Sequence, residues 1–280
     1  MTLPNFLIIG AAKAGTTSLY EYLRQHPDVY LSPLKEPRYY SDPPLCTRDE
    51  YLRLFDGVRG ERAIGEASPQ YLPSETAPDR IAADLPEVKL IATLRNPADR
   101  AYSSYLGRIR GGSERRGVDE TMRRGSYYFE TSLYAQSLSR YYARFPRERI
   151  KVVLLDDLAS DPRALTRGIF EFLGVDADFE PDLRTRHNES GIPAWQALYQ
   201  FIWKSAAALQ KFVPPQGLGI PTRLSRRLLR KPPPLPRDVR ERMLDEFRDD
   251  IAATGRLIGR DLSHWLATAP AGSRSTAPGC

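Results

Sequence analysis

The first residues that could do chemistry form a glycine loop, GAAKAGTTS, at residues 10–18. Gly10 and Gly15 have the spacing of the triphosphate-binding loop G-x-x-x-x-G-K-[ST], in which lysine directly follows the second glycine. Here Thr16 follows Gly15, and the lysine stands earlier, at Lys13. A glycine loop between a strand and a helix directs backbone N–H groups and the positive helix N-terminus at one phosphate. An ordinary strand–helix turn with a threonine cap is the alternative that these residues leave open.

The early position of Lys13 indicates which chemical group such a loop could help to transfer. In phosphoryl transfer, Mg²⁺ and the lysine after the second glycine hold the β- and γ-phosphates. A sulfuryl group carries less charge than a terminal phosphate, so one lysine at the bridging oxygen can neutralise the leaving group. The loop therefore favours sulfuryl transfer at a site that requires no metal.

The elements that must position this loop alternate between strands and helices. Apolar runs predict strands at residues 6–9, 29–31, 89–95 and 149–158. Helical patterns are predicted at residues 16–25, 78–84, 98–108, 132–144, 162–173 and 236–254. This alternation predicts an α/β fold: a central parallel β-sheet flanked by helices, with a P-loop-like strand–loop–helix unit at the N-terminus.

Length and composition indicate a globular chain. It has 280 residues, of which 41% are hydrophobic and 10% aromatic. We predict a single domain over residues 1–266, although the length also permits two. Residues 214–236 carry seven prolines and a basic run, so we expect residues 190–236 to form a lid or excursion at the acceptor site. Residues 267–280 are predicted to be a disordered tail.

Charge and cysteine usage bear on partners and compartment. The formal net charge of +6 fits anionic ligands, or simply solvated surface charge. Cys46 and Cys280 show no metal-ligand or disulfide-framework spacing, so a reducing compartment is expected. The N-terminal apolar run is shorter than a signal core, and no run approaches the ~20 residues of a membrane span. We therefore expect a cytoplasmic protein without a transmembrane segment, a metal or a specific nucleic-acid partner; its oligomeric state is open.

Three segments resemble sulfotransferases that use 3′-phosphoadenosine 5′-phosphosulfate (PAPS). They are FLIIGAAKAGTTSLYEYLRQHPDVYLSPLKEPRYY at 6–40, LRNPADRAYSSY at 94–105 and SLYAQSLSRYYARFPRERIKVVLLDDLASDP at 132–162. The resemblance is greatest to the branch that contains heparan sulfate sulfotransferases and their bacterial relatives, and it extends over roughly residues 5–266 with a gap across about 190–236. It implies sulfuryl transfer from PAPS to a hydroxyl or amine of a small-molecule, glycan or lipid acceptor.

The resemblance also implies roles for the glycine loop and for a carboxylate. The loop residues that would hold the 5′-phosphosulfate are Lys13, Ala14, Gly15, Thr16, Thr17 and Ser18. Lys13 would also stabilise charge on the bridging oxygen. Glu36, in KEPRYY at 35–40, matches the catalytic glutamate of the heparan sulfate enzymes and would take the acceptor's proton. The alternative for Glu36 is an ion pair with Lys35 or Arg38 on a loop surface.

The second matching segment implies a site for the 3′-phosphate. Arg95 and Ser103 would bind it, because the planar guanidinium fork of arginine suits a phosphate and a hydroxyl in the next helix can converge on the same anion. An ion pair with Asp99 is the alternative for Arg95. Tyr134 and Tyr71 are candidates to stack on adenine, although aromatic residues on helices more often belong to the core.

Two departures from the family pattern affect the acceptor and the cofactor. In the segment that GEASPQYL at 65–72 resembles, heparan sulfate enzymes often carry a lysine after the glutamate, where this chain has Ala67. A heparan-like acceptor is therefore in doubt, and Glu66 becomes an alternative base or orienting carboxylate. The chain also lacks a clear Lys-Gly-Arg segment late in the sequence, for which Arg184 or Arg186 would substitute.

Two functions of other classes remain open at this point. VVLLD at 152–156 reads like the metal-holding strand end of a P-loop kinase, in which Asp156 or Asp157 would hold Mg²⁺ for ATP; the missing lysine after Gly15 argues against it. A non-catalytic basic module could bind anions through residues 107–116 and 223–231. Those arginine-rich stretches lack the interleaved aromatics that read bases.

Overall fold

A computed structural model shows a central β-sheet with helices on both faces. It describes residues 2–184, 192–193, 229–230 and 232–267. The sheet has five strands, β1 Phe6–Gly10, β2 Val29–Leu31, β3 Ala63–Ala67, β4 Lys89–Leu94 and β5 Ile150–Leu154. Their order is β2-β3-β1-β4-β5, and every neighbouring pair is parallel. The predicted α/β fold is confirmed.

Helices connect these strands and follow the last of them. They are α1 Thr16–Leu23, α2 Arg48–Arg53, α3 Ala77–Asp84, α4 Pro97–Gly111, α5 Val118–Thr121, α6 Tyr127–Glu130, α7 Tyr134–Tyr142, α8 Leu155–Ser160, α9 Pro162–Leu173 and α10 Arg237–Ile258. Short 3₁₀ turns lie at Arg147–Arg149 and Ser263–Leu266. A two-residue antiparallel pair joins β6 Ile192–Pro193 to β7 Leu229–Arg230.

The central strand β1 is buried on both faces, which explains its unbroken apolar sequence. Leu7 and Ile9 face one cluster of side chains, which includes residues of α3, α7 and α10. Phe6 and Ile8 face the opposite cluster, built with α1 and α9. Burial of each of these side chains stabilises the fold by about 1.5–3 kcal/mol. The strand β1 therefore holds the loop that follows it in a fixed position.

Two strand assignments differ from the sequence prediction. The strand expected over 149–158 ends at Leu154, and α8 begins at once. The Asp157 carboxylate accepts the Leu154 N–H at 3.2 Å, and acidic residues favour a helix start, so the aspartates end the strand. The strand β3 was not predicted, because Gly65 and Glu66 interrupt its apolar pattern. It nevertheless lies next to β1.

Most of the predicted lid at 190–236, and the tail at 267–280 apart from its first residue, lie outside the described residues. The domain boundaries therefore stay predictions. Across the described ranges, no helix is both long enough and apolar enough to span a membrane.

Gly65→Ala is expected to destabilise the sheet between β3 and β1. A Cβ atom at Gly65 would lie 2.5 Å from the ring of Phe6, which is fully buried and cannot move aside. Overpacking of this kind costs about 1–3 kcal/mol. Urea unfolding of both proteins measures the loss. Gly117→Ala is the matched control, since a Cβ there meets nothing within 4 Å; equal losses in the two variants would contradict this packing argument.

Candidate active site

The glycine loop leaves β1 at Gly10 and enters α1 at Gly15. Gly15 has a φ of 92°, and a Cβ atom there would lie 2.8 Å from Leu155 Cδ1, so the position requires glycine. The loop is closed by hydrogen bonds from Ala14 N to Ala11 O, 3.2 Å, and from Ala11 N to Thr93 O, 2.7 Å. Its position between a buried strand and a helix is the position of a phosphate-binding loop.

The helix α1 begins without a capping hydroxyl. Its N-cap residue is Gly15, which has no side chain and makes no side-chain cap bond. The alternative of an ordinary turn capped by a threonine is therefore wrong. Thr16 is buried, whereas Thr17 and Ser18 are half-buried in the first turn. The N–H groups in the first turn of a helix are suited to an anion, and the helix dipole adds to the attraction.

Lys13 reaches from the loop toward the middle of α4. Its φ is 70°, and a Cβ atom at Gly107 would lie 3.3 Å from its Nζ atom. The residue is exposed overall, yet burial of its ammonium lowers its pKa, and the positive charge of Arg110 lowers that pKa further. Glu36 acts in the opposite direction, while Lys35 and Arg95 add to the lowering. An ammonium placed among other cations is suited to an anionic ligand.

Arg95 follows β4 and lies beside the same loop. Its NH1 atom donates to the Lys13 carbonyl at 3.3 Å, and the Tyr134 hydroxyl donates to the Arg95 carbonyl at 2.9 Å. The alternative ion pair with Asp99 is wrong, because the Asp99 carboxylate is bound by Arg240 instead. Arg95 therefore faces the loop, and no carboxylate in the described part of the chain forms an ion pair with it.

Ser103 lies on α4, four residues before Gly107, which Lys13 approaches. Residues four apart share one face of a helix, so Ser103 lies on the face that meets the loop. The structure thus brings the glycine loop, Arg95 and Ser103 to one end of the sheet.

Glu36 is half-buried on the loop after β2, and its backbone is held in the left-handed region with a φ of 63°. Its backbone N–H donates to the Ala67 carbonyl at 3.0 Å. Three side chains donate to its carboxylate: Lys35 at 3.1 Å, and Arg38 and Gln70 each at 2.8 Å. The alternative ion pairs with Lys35 and Arg38 are thus both present. Burial alone would raise the pKa of Glu36, but these donors lower it below its ordinary value.

Glu66 lies behind Glu36, at the end of β3, and is fully buried. The Ser68 hydroxyl donates to its Oε2 atom at 2.8 Å and itself accepts the Arg38 backbone N–H at 3.1 Å. The Oε1 atom has no hydrogen-bond partner among the described residues. Burial raises the pKa of Glu66 to about 7, and the nearby charge of Glu36 adds to this. A carboxyl group with no exposed surface supports the Glu36 loop but does not face the solvent side.

Glu66→Gln is expected to remove one source of pH dependence in stability. The folded protein holds a proton on Glu66 up to about pH 7, whereas the unfolded chain loses it near 4.5, the ordinary value. The stability that Glu66 contributes is therefore full below pH 4.5 and is lost as the pH rises through about 7. The variant should gain on the order of 3 kcal/mol relative to wild type across this interval.

Urea unfolding of the two proteins between pH 4.5 and pH 8 measures this gain. The matched control is Glu148→Gln, which makes the same substitution at an exposed position, so that an effect common to both variants is not specific to Glu66. Parallel pH curves for wild type and Glu66→Gln would show that Glu66 is ionised in the folded protein.

Other residues singled out in the sequence do not join this site. Tyr134 and Tyr71 are 1% and 0% exposed, so they belong to the core rather than offering a ring face to adenine. Arg184 forms an exposed ion pair with Asp182 at 3.0 Å. Arg186 lies outside the described residues.

The aspartates considered for Mg²⁺ bind side chains that follow α10. Asp156 accepts the Trp265 indole N–H at 2.7 Å, and Asp157 forms an ion pair with Arg260 at 2.9 Å. These carboxylates therefore connect α8 to the 260–265 segment and are not left facing a triphosphate.

Three residues of this site lay in segments that the sequence analysis singled out but were not named individually: Gln70 in 65–72, and Gly107 and Arg110 in 107–116. Ser103, Gly107 and Arg110 have the spacing i, i+4, i+7, which marks one face of a helix and could have revealed that α4 lines the site. Gln70 carried no such signal, because it follows the unpredicted strand β3 through a turn.

Comparison with known proteins now assigns the family. The model of the sulfotransferase domain matches residues 3–192. Heparan sulfate glucosamine 3-O-sulfotransferase 3A1 of Mus musculus is 29% identical over 274 residues, which cover 92% of this chain and 64% of that protein. Bifunctional heparan sulfate N-deacetylase/N-sulfotransferase 3 of Homo sapiens is 29% identical over 202 residues, which cover 62% of this chain and 22% of that protein.

A solved structure agrees in fold and in length. The crystal structure of a sulfotransferase from Alicyclobacillus acidocaldarius is 33% identical, with a TM-score of 0.73, and the match covers 95% of this chain and 100% of that one. The curated relatives named above are longer, and the match spans 22% of the length of one and 64% of the length of the other. None of these matches supports the P-loop kinase alternative. The chain belongs to the sulfotransferase domain family.

Proposed function

We propose that the protein transfers the sulfuryl group of PAPS to a hydroxyl or amine of an acceptor by in-line displacement with a carboxylate base. One observation carries this proposal: the Lys13 ammonium projects from a glycine loop into a cluster of cations, and Glu36 is the carboxylate among the described residues whose charge acts on it. Arg95, Arg110 and Lys35 are the other cations. Such a cluster suits a donor with several negative charges and an acceptor that must lose a proton.

The chemistry of the donor end fits the residues present. PAPS supplies an activated sulfuryl group and a bisphosphate leaving group. In this proposal, the N-terminus of α1 and the hydroxyls of Thr16, Thr17 and Ser18 bind the 5′-phosphosulfate, with Ala14 and Gly15 allowing close backbone approach. Arg95 and Ser103 bind the 3′-phosphate. Lys13 stabilises the negative charge that develops on the bridging oxygen.

The acceptor end depends on Glu36. Its carboxylate takes the proton of the acceptor as the new bond to sulfur forms and the bond from sulfur to the bridging oxygen breaks. Glu66 remains the alternative base, but it has no exposed surface through which to reach an acceptor. Geometry therefore favours Glu36, in spite of its lowered pKa.

We include glycans in the proposed acceptor class, because both curated relatives named above are heparan sulfate sulfotransferases. Small-molecule and lipid acceptors remain alternatives. The lysine that heparan sulfate enzymes often carry after the glutamate is replaced here by Ala67, which is fully buried in the sheet. Any contact from that position to an anionic sugar is therefore missing. The cytoplasmic location, and a site that needs no metal, stay predictions.

Ligand-dependent thermal stability tests the proposal without an acceptor. Adenosine 3′,5′-bisphosphate should raise the Tm in the presence of EDTA, because ligands that bind only the folded state stabilise it. Mg-ATP should not. Stabilisation by Mg-ATP instead would restore the kinase interpretation. Binding of unrelated nucleic acids that falls steeply with salt, without any effect of the bisphosphate, would favour the basic binding module.

A further inference from the structure

Trp265 connects three parts of the chain from a buried position. It is 2% exposed, and its indole N–H donates to Asp156 of α8 at 2.7 Å. Its carbonyl accepts the side-chain N–H of Asn96 at 2.7 Å, and its ring centroid lies 6.3 Å from that of Tyr134. A residue with one hydrogen bond at each end and a ring contact between them has a fixed position.

The contacts of Trp265 with Asn96 and Tyr134 connect it to Arg95. Asn96 is the next residue along the chain, and it is also the N-cap of α4. Tyr134, whose ring lies beside Trp265, donates its hydroxyl to the Arg95 carbonyl at 2.9 Å. The Arg95 carbonyl and the residue directly after it are therefore held by groups that contact Trp265.

The contact of Trp265 with Asp156 connects it to the glycine loop. Asp156, which accepts the indole N–H, follows Leu155 in the first turn of α8. Leu155 lies so close to Gly15 that a Cβ atom at Gly15 would meet its Cδ1 atom at 2.8 Å. Trp265 therefore lies between the element that contacts the loop and the turn that carries Arg95.

We propose that Trp265 is a positioning residue that sets the spacing between the two phosphate-binding groups, the glycine loop and Arg95. The inference rests on the proposed function, in which these groups bind the two ends of one bisphosphate. A ligand that must engage two sites at once gains affinity only when their spacing matches its own length. Loss of the correct spacing should weaken a bisphosphate and leave monophosphates nearly unaffected.

Calorimetric titration with three nucleotides tests the inference. The ligands are adenosine 3′,5′-bisphosphate, adenosine 5′-monophosphate and adenosine 3′-monophosphate. Trp265→Phe removes the N–H bond to Asp156 but retains an aromatic ring and the backbone carbonyl. We expect bisphosphate affinity to fall about tenfold and each monophosphate affinity to change less than about twofold. A variant that lowered all three affinities by one common factor, or none of them, would overturn the inference.

Two further variants separate positioning from folding. Asn96→Ser keeps a hydroxyl to cap α4 but is too short to reach the Trp265 carbonyl, and should reproduce the selective loss. Arg260→Ala removes the neighbouring ion pair to Asp157 and should bind all three ligands as wild type does. A selective loss in Arg260→Ala would assign the effect to the whole segment and not to Trp265.

The wild-type titration separates the two proposals. If wild type binds the bisphosphate no more tightly than the monophosphates, the proposed function fails, and this inference fails with it. If wild type prefers the bisphosphate and Trp265→Phe retains that full preference, only the positioning role of Trp265 fails.

Discussion

Replacing Lys13 with alanine is expected to lower kcat for sulfuryl transfer by about 10²- to 10³-fold. The ammonium is held against α4 at Gly107, with its pKa lowered by burial and by the charge of Arg110. A positive charge fixed beside the bridging oxygen stabilises the transition state more than the ground state, because the negative charge on that oxygen grows as the bond breaks. The effect should therefore appear mainly in kcat.

Radiolabelled PAPS, incubated with a cell extract that supplies acceptors, measures this loss. Calorimetric titration with adenosine 3′,5′-bisphosphate is run beside it, and the affinity for this ligand should fall by about tenfold, the lower limit for a hydrogen bond to a charged group. Lys151→Ala is the matched control, since Lys151 lies on β5 with its ammonium 5.8 Å from the Phe172 ring centroid. Equal labelling by Lys13→Ala and Lys151→Ala would show that Lys13 does not take part in catalysis.

The glycine loop and the Arg95 turn could be located from the sequence because each follows a buried, mainly apolar strand. The strand β1 reads FLIIG and β4 reads KLIATL, and these apolar residues are buried on both faces of the sheet. The polar residues that follow each strand then lie at its carboxyl end. Parallel strands bring these ends to the same edge, so Lys13 and Arg95 could be placed together without knowledge of side-chain contacts.

The surroundings of Glu36 could not be predicted in this way. The strand β3 that supports it contains Gly65 and the buried Glu66, and neither belongs to the pattern of an apolar strand. Both Glu36 and Arg38 have left-handed backbones, with φ of 63° and 55°, which side chains other than glycine rarely adopt. Long-range contacts hold this loop, and local sequence preference does not indicate such contacts. The resemblance indicated Glu36, but the donors around its carboxylate are known only from the structure.

Glu36→Gln is expected to lower kcat by about 10²- to 10⁴-fold, the range of a general base. Glutamine has nearly the same size and keeps one acceptor oxygen for Arg38 and Gln70, so the loop should retain its shape. The lost function is the capacity to take the acceptor's proton. Labelling from radiolabelled PAPS measures the effect, and unchanged bisphosphate affinity would show that the donor end of the site is intact.

The pH dependence of labelling by the wild-type protein tests the same role of Glu36. Burial would raise the pKa of Glu36, but hydrogen bonds from Arg38 and Gln70 and the charge of Lys35 lower it below its ordinary value of 4.5. The base is active when deprotonated, so no acidic loss of labelling should appear until the pH falls below about 4.5. Gln70→Ala removes one donor to the carboxylate and should move the acidic limb to higher pH.

Glu66→Gln separates the two candidate bases. Glu66 has the higher pKa, about 7, and would be the stronger base if an acceptor could reach it. A buried carboxyl cannot take a proton from an acceptor outside the core without rearrangement, so Glu66→Gln should retain labelling within about tenfold of wild type. If instead Glu36→Gln labels as wild type does and Glu66→Gln does not, Glu66 is the base, and the half-buried Glu36 only holds the cations around it. In that case the basicity of the carboxylate matters more for catalysis than its accessibility, and the loop that carries Glu36 must open during each turnover.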